Sequence, residues 1–266
     1  MKDKFRPQSI ELWVAISWII LFILQVVNVS KGLAGNTMDS LVLTYDNLLV
    51  PHSIFSYLWW IMSVIFAIYL WHQFFQDEEL VHYKLPFIRP MGLLLAIISI
   101  LWLILFQLQL FLVALIFGLV TLALLFLINL QLRSRSLKKL SFIAYELPFS
   151  MGFGYAMFLW MENLWILLGT KIDNFSSSQL WSIIMLIIGF VLFMSIMIKF
   201  HNAFMGLGFT LGYLGILIRH FATWKAQYIA VVLVNIIICA LLIYSIFQAV
   251  LYTKRKARHI IERRQY

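Results

Sequence analysis

From Met91 to Leu132 the chain carries no charged residue and no obvious break. As one helix this stretch would reach roughly 60 Å, about twice the apolar core of a bilayer. It has to fold back on itself. Gln107 and Gln109 are the strongly polar residues near its middle, so a tight hairpin is placed there, although no Gly or Pro marks it. Merging the two halves into one span gives a seven-span alternative.

The same ruler, roughly 20 apolar residues per crossing, finds eight spans in all. They are Glu11–Ser30, Ile54–Phe75, Met91–Gln107, Leu110–Leu132, Ala144–Leu168, Gln179–Ile198, Ala203–Phe221 and Gln227–Thr253. Hydrophobic residues make up 63% of the chain and charged residues 12%, which no water-soluble domain tolerates. In lipid only helices and closed barrels satisfy every backbone group. Continuous rather than alternating apolar runs argue for helices. The fold class read from the sequence is therefore an all-α integral membrane protein, an eight-helix transmembrane bundle.

Charge orients the bundle. With both termini inside, the far side keeps Lys31, Lys171, Arg219 and Lys225, and the other sixteen of the 20 Lys and Arg fall in the N-terminal segment, the inner loops and the tail. That asymmetry follows the positive-inside rule, and a seven-span chain would spoil it. Met1 to Gly35 also has the outline of a cleaved signal peptide, but its apolar segment exceeds the usual 7–15 residues. The +9 formal charge points to anionic lipid headgroups rather than nucleic acid. The basic tail, 254–266, reads as a topology anchor, with a specific lipid or protein contact as the other reading. Cys239 lies inside the last span and has no second cysteine to pair with.

Motifs then narrow the class. In the second span Pro51, Phe55 and Trp59 recur every four residues, which places them on one helical face. The third span repeats the spacing with Trp102 and Phe106. The fifth reads Pro148-Phe149-Ser150-Met151-Gly152-Phe153-Gly154-Tyr155 and continues to Trp160, Glu162 and Asn163. In this order the pieces resemble the TspO/MBR family, the tryptophan-rich sensory proteins, and more closely its larger bacterial relatives with extra C-terminal helices. Asn202-Ala-Phe through Leu214-Gly215-Ile216 is similar to those relatives' penultimate helix. The resemblance implies a five-helix core over 1–170, three additional helices over 178–253, and a bacterial plasma membrane location. It also implies an aromatic pocket near one membrane face, lidded by the first long loop, here Lys31 to Val50, for flat apolar ligands such as porphyrins. Three positions depart from the family pattern: Ser63 stands where an aromatic is usual, Ser99 where Asn is usual, and Leu159-Trp160 where Leu-Asn is usual. Tyr155 replaces a Trp.

The candidate ligand-binding residues are Pro51, His52, Phe55, Trp59, Trp102, Phe106, Glu162 and Asn163. Trp59 leads because of its place in the stripe, and its plain alternative is a lipid-facing or packing Trp. Trp60 points roughly 100° away, so the two cannot line one pocket equally. Glu162 is a carboxylate inside an apolar span, which costs energy unless it faces the bundle interior or water. Its functional reading is a polar ligand contact or proton site, and its plain reading is snorkelling. His52 is placed at the pocket mouth, and a lone His is weak evidence for metal. Glu146 reads as structural, paired with Lys138 or Lys139. Gly208 and Gly212 permit close helix contact, within the chain or in a homodimer.

No catalytic constellation, zinc-ligand helix or phosphate loop is present. No obligatory cofactor is expected, and a tetrapyrrole is the ligand the resemblance offers, with light-dependent porphyrin breakdown as the conceivable activity. The leading function is a membrane sensor-like binding protein with a pocket for a flat hydrophobic ligand such as a tetrapyrrole or lipid. Its partners would be membrane lipids and that ligand. The alternative is a secondary transporter built on Glu162, Asn163 and Asn235.

Overall fold

The computed structural model describes residues 9–45, 47–74, 85–133, 142–175, 177–223 and 225–262. Lys84, the acidic run Asp77-Glu78-Glu79, and Lys138 and Lys139 with their expected pairing to Glu146 lie outside them. Among the described residues there are nine helices and no strand. They are α1 (Ser9–Ser30), α2 (Met38–Thr44), α3 (Leu58–His72), α4 (Leu85–Gln107), α5 (Phe111–Arg133), α6 (Leu147–Gly169), α7 (Gln179–Phe200), α8 (Ala203–Ala222) and α9 (Ile229–Glu262). All except the short α2 are long and apolar enough to cross a bilayer, α3 counted with the turn before it, so the chain makes eight candidate crossings.

Because both faces of such helices are apolar, amphipathic period does not mark the inner face. Polar residues mark it instead. On α1, Leu12, Trp13, Ile16, Ile19, Ile20 and Ile23 point outward, while Glu11, Ser17, Gln25 and Asn28 are buried with Val14, Trp18 and Leu21.

The hairpin between α4 and α5 closes at Gln109, which adopts φ 60°. Leu110 N donates to Leu105 O and Gln109 N to Phe106 O, both at 3.0 Å. This is the helix-ending pattern that usually recruits Gly at the left-handed position, so a glycine search could not have found it. The Gln107 side chain bonds Asn28 Oδ1 on α1. The turn therefore uses the two glutamines for what they can reach.

Helix α4 starts at Leu85 rather than at Met91, and it runs through Pro90. Arg89 looked like a loop residue because a lone charge does not enter a span. Here it forms an ion pair with Glu11 of α1, with side chains only 5% and 1% exposed, and Arg89 Nη2 also donates to Gln73 O at 3.3 Å. Helix α9 continues past Thr253 to Glu262. Nothing stops it there: Lys, Arg and Ala are good helix formers, and no Gly or Pro intervenes.

Five helices close a ring in the order α1, α3, α6, α5, α4 and back to α1. Helices α7 and α8 pack on the outer side of α6, and α9 packs in turn on α8 and α7, completing an outer layer. Helix α6 thus belongs to both units and is buried along nearly its whole length. Glycines set its contact with α8. A Cβ on Gly154 would lie 2.0 Å from Met205 O, and one on Gly208 would lie 2.1 Å from Met151 O. A Cβ on Gly212 would strike the Phe158 ring at 2.2 Å. Gly208 and Gly212 therefore pack within the chain. A polar chain ties the same helices at one end: Asn202 caps α8 and donates to Ser150 Oγ (2.9 Å) and Glu146 Oε1 (3.1 Å), and Ser150 donates to Asn129 Oδ1 (2.6 Å).

Candidate functional site

Each ring helix turns one face, with residues three or four apart, toward a central cavity. Helix α1 supplies Trp18, Leu21, Phe22 and Gln25, α3 supplies Trp59, Met62, Ser63 and Phe66, and α4 supplies Leu95, Ser99 and Trp102. Helix α5 adds Gly118, Thr121 and Leu125, and α6 adds Gly152, Tyr155, Ala156, Leu159 and Trp160. The cavity volume is about 80 Å3. Glycine makes part of this room: a Cβ on Gly118 would come within 2.9 Å of the Trp160 ring and 3.5 Å of the Trp102 ring.

The walls are aromatic. Trp18 stacks on Phe66 with centroids 4.1 Å apart and planes at 20°. Trp59 meets Tyr155 edge-on at 5.3 Å and lies 6.4 Å from Trp102 at a 35° tilt. Such walls offer large rigid contact area to a flat apolar molecule. Several polar groups are already engaged: Ser63 Oγ donates to Trp59 O (2.7 Å), Thr121 Oγ1 to Phe117 O (3.0 Å) and Trp160 Nε1 to Leu115 O (3.0 Å). None of the described residues that line the cavity is charged.

A second, smaller cavity adjoins the first. It is lined by Val29, Val42, Val50, Pro51, Phe55, Leu58, Trp59, Tyr155, Phe158, Leu159, Glu162 and Gly212. Trp59, Tyr155 and Leu159 belong to both cavities and form the wall between them. The loop from Lys31 to Val50, with α2 inside it, covers the second cavity through Val42 and Val50. Two anchors hold this loop down. Tyr45 Oη donates to Gln109 Oε1 at 3.1 Å. From α8, Arg219 Nη1 donates to Asn47 O and Val50 O, both at 3.3 Å, and His220 Nε2 lies 2.9 Å from Leu48 O.

The candidate residues separate into groups. Trp59 and Trp102 line the central cavity, and the neighbouring Trp60 is 45% exposed on the outside. Pro51, Phe55 and Glu162 line the second cavity with Trp59. Pro51 and Phe55 do not begin a regular α-helix as their spacing suggested. Pro51 precedes a tighter turn at Ser53–Tyr57 and Phe55 lies within it, because His52 N bonds Gly215 O of α8 at 2.9 Å and the chain must turn there. His52 lines neither cavity: its Nδ1 accepts from Ile54 N at 3.2 Å. Phe106 is fully buried beneath Trp102, with centroids 5.7 Å apart. Asn163 is buried against the start of α5, where its Nδ2 donates to Phe111 O (3.3 Å) and its Oδ1 accepts from Leu115 N (3.0 Å). Asn235 donates to Tyr213 O at 3.1 Å in the outer layer.

Sequence reasoning did not single out Trp18, Gln25, Phe66 or Gly118. The signal for Gln25 was legible: Val14, Trp18, Leu21, Gln25 and Asn28 share one stripe of α1. The departures Ser63, Ser99, Tyr155 and Trp160 all border the central cavity, so they reshape its wall. Among the described residues, no three His, Cys, Asp or Glu side chains gather to hold a metal ion.

A family model described as TSPO-like protein matches residues 11–248, from the start of α1 nearly to the end of the membrane part of α9. No curated protein and no solved structure matches the chain. The family match spans the ring and the outer layer alike, and it coincides with a ring of five helices around an aromatic cavity. The chain belongs to the TSPO-like protein family.

Proposed function

We propose that the protein is a membrane binding protein, sensor-like in kind, whose central cavity holds a flat hydrophobic ligand such as a tetrapyrrole or a lipid. The observation that carries this reading is the cavity itself, walled by Trp18, Phe66, Trp59, Trp102, Tyr155 and Trp160 from four helices of the ring. Apolar cavities with a few convergent polar groups are the usual form of small-molecule sites. We propose a bacterial plasma membrane on the resemblance to the larger bacterial relatives, with both termini in the cytoplasm on the distribution of Lys and Arg.

The test is a titration of purified protein with protoporphyrin dimethyl ester, followed at the porphyrin absorption band. The ester is chosen because no cation lines the cavity to receive free carboxylates. Saturable binding, weakened at least tenfold by Trp59→Ala and by Trp102→Ala, supports the reading. Affinity unchanged by both substitutions defeats it.

A second reading, secondary transport, draws on Glu162 in the cavity next to the central one. Proton-driven uptake into vesicles, abolished by Glu162→Gln, is the result that would favour it.

A further inference from the structure

Two buried side chains that line the central cavity, Gln25 and Trp102, carry polar atoms with no hydrogen-bond partner among the described residues. Gln25 is 4% exposed, and neither its amide nitrogen nor its amide oxygen is hydrogen-bonded. The Trp102 indole N–H is likewise buried and unbonded, on a residue 6% exposed. Two neighbouring polar groups on the same interface do find partners. On one side of Gln25, Trp18 Nε1 reaches Gly92 O at 3.2 Å. On the other, Asn28 is bonded to Gln107. Helices α1 and α4 run parallel, with Glu11, Trp18 and Asn28 meeting Arg89, Gly92 and Gln107 in turn, so Gln25 and Trp102 both fall between the Trp18 and Asn28 contacts and border one cavity. Buried polar groups in folded proteins are nearly always satisfied, and each exception asks for a partner.

On the reading that the central cavity is a ligand site, we propose that its ligand is an uncharged amphiphile: an apolar body with one hydroxyl or amide group seated between Gln25 and Trp102. The unmatched set comprises two donors, the Gln25 NH2 and the Trp102 N–H, and one acceptor, the Gln25 carbonyl. A hydroxyl or amide both donates and accepts, so it answers both kinds. A hydrocarbon answers neither. A carboxylate would bring a charge into an apolar space lined by no cation, and burying an unpaired charge is far costlier than burying a hydroxyl. The polar handle therefore sits at the α1–α4 wall, between Gln25 and Trp102.

A matched series of flat fluorescent probes tests this: 1-pyrenebutanol, 1-butylpyrene and 1-pyrenebutyrate, titrated into detergent-solubilised protein at neutral pH with empty micelles as the blank. The alcohol is expected to bind about tenfold tighter than the hydrocarbon, the increment of one or two neutral hydrogen bonds, with the carboxylate weakest. In Gln25→Leu the alcohol should fall to the level of the hydrocarbon, while hydrocarbon binding is retained. That retention shows the cavity is intact. Trp102→Phe should remove part of the same preference. Equal binding of alcohol and hydrocarbon in the wild type, with both weakened by Trp59→Ala, overturns the hydroxyl or amide assignment and leaves the ligand site standing. A preference that survives both Gln25→Leu and Trp102→Phe also overturns it. If no probe binds saturably above the micelle blank, the ligand site itself fails, and this inference fails with it.

Discussion

The ring and the outer layer are built from equally apolar helices, yet they pack in different ways. In the layer, α8 lies against α6 backbone to backbone, through Gly154 and Gly208, and several polar groups are matched: Asn202 with Ser150 and Glu146, Asn235 with Tyr213 O, and Tyr213 Oη with Leu186 O at 2.9 Å. In the ring, large aromatic side chains hold the helices apart, a cavity remains, and Gln25 and Trp102 are left unmatched. Close packing of small residues is how helices associate in lipid, where no hydrophobic force drives them together. The layer therefore serves as a frame. It fixes α6, and through Arg219 and His220 it pins the loop that covers the second cavity. The contrast teaches that close glycine packing and aromatic cavity walls are carried by different faces of α6.

The comparison can be broken most forcefully at the ring's buried ion pair between Arg89 and Glu11. Arg89→Ala removes the guanidinium beside Glu11 and should destabilise the protein by roughly 3–5 kcal/mol. Thermal unfolding in detergent checks this, and an Arg89→Ala protein that melts like wild type would show that the ring does not depend on the pair. Next come the glycines. Gly208→Ala drives a methyl against Met151 O and should cost about 3 kcal/mol, near the upper end for overpacking. Gly152→Ala, facing the cavity with its nearest neighbour Phe66 Cζ at 3.3 Å, should cost less than about 1 kcal/mol, since that ring has room to shift. Equal losses for the two would erase the distinction between frame and cavity. Asn202→Ala removes an N-cap and two side-chain bonds and should lower stability by about 1–2 kcal/mol. The smallest effect has the opposite sign. Gln25→Leu removes an unmatched amide and should leave ligand-free protein unchanged or up to about 1 kcal/mol more stable. A clear loss on that substitution would mean that the Gln25 amide is satisfied in the membrane.

How much of this was legible in the sequence differs by element. The eight crossings and the hairpin near Gln107 and Gln109 follow from length and polarity, and the structure has both. The start of α4 was misplaced because Arg89 reads as a loop residue until Glu11, far away in the chain, is seen beside it. Trp59 and Trp102 were picked from their spacing, and both border the cavity. Phe106 and Asn163 share that spacing or lie near it, yet they are packed against α4–α5 contacts, because the helical period fixes a face and not a depth or a neighbour.

By itself the sequence determined that this chain spans a membrane eight times, that its family is the TSPO-like one, and which stripes of its helices carry aromatics. Those properties depend on local hydrophobicity and helical period, which every segment carries within itself. Tertiary structure alone decided that α6 is shared by ring and layer, that the loop is held from α8, and that Gln25 faces a cavity while Asn28 finds a partner. These outcomes depend on which distant helix arrives opposite a given residue, and on whether a glycine or a tryptophan meets it there.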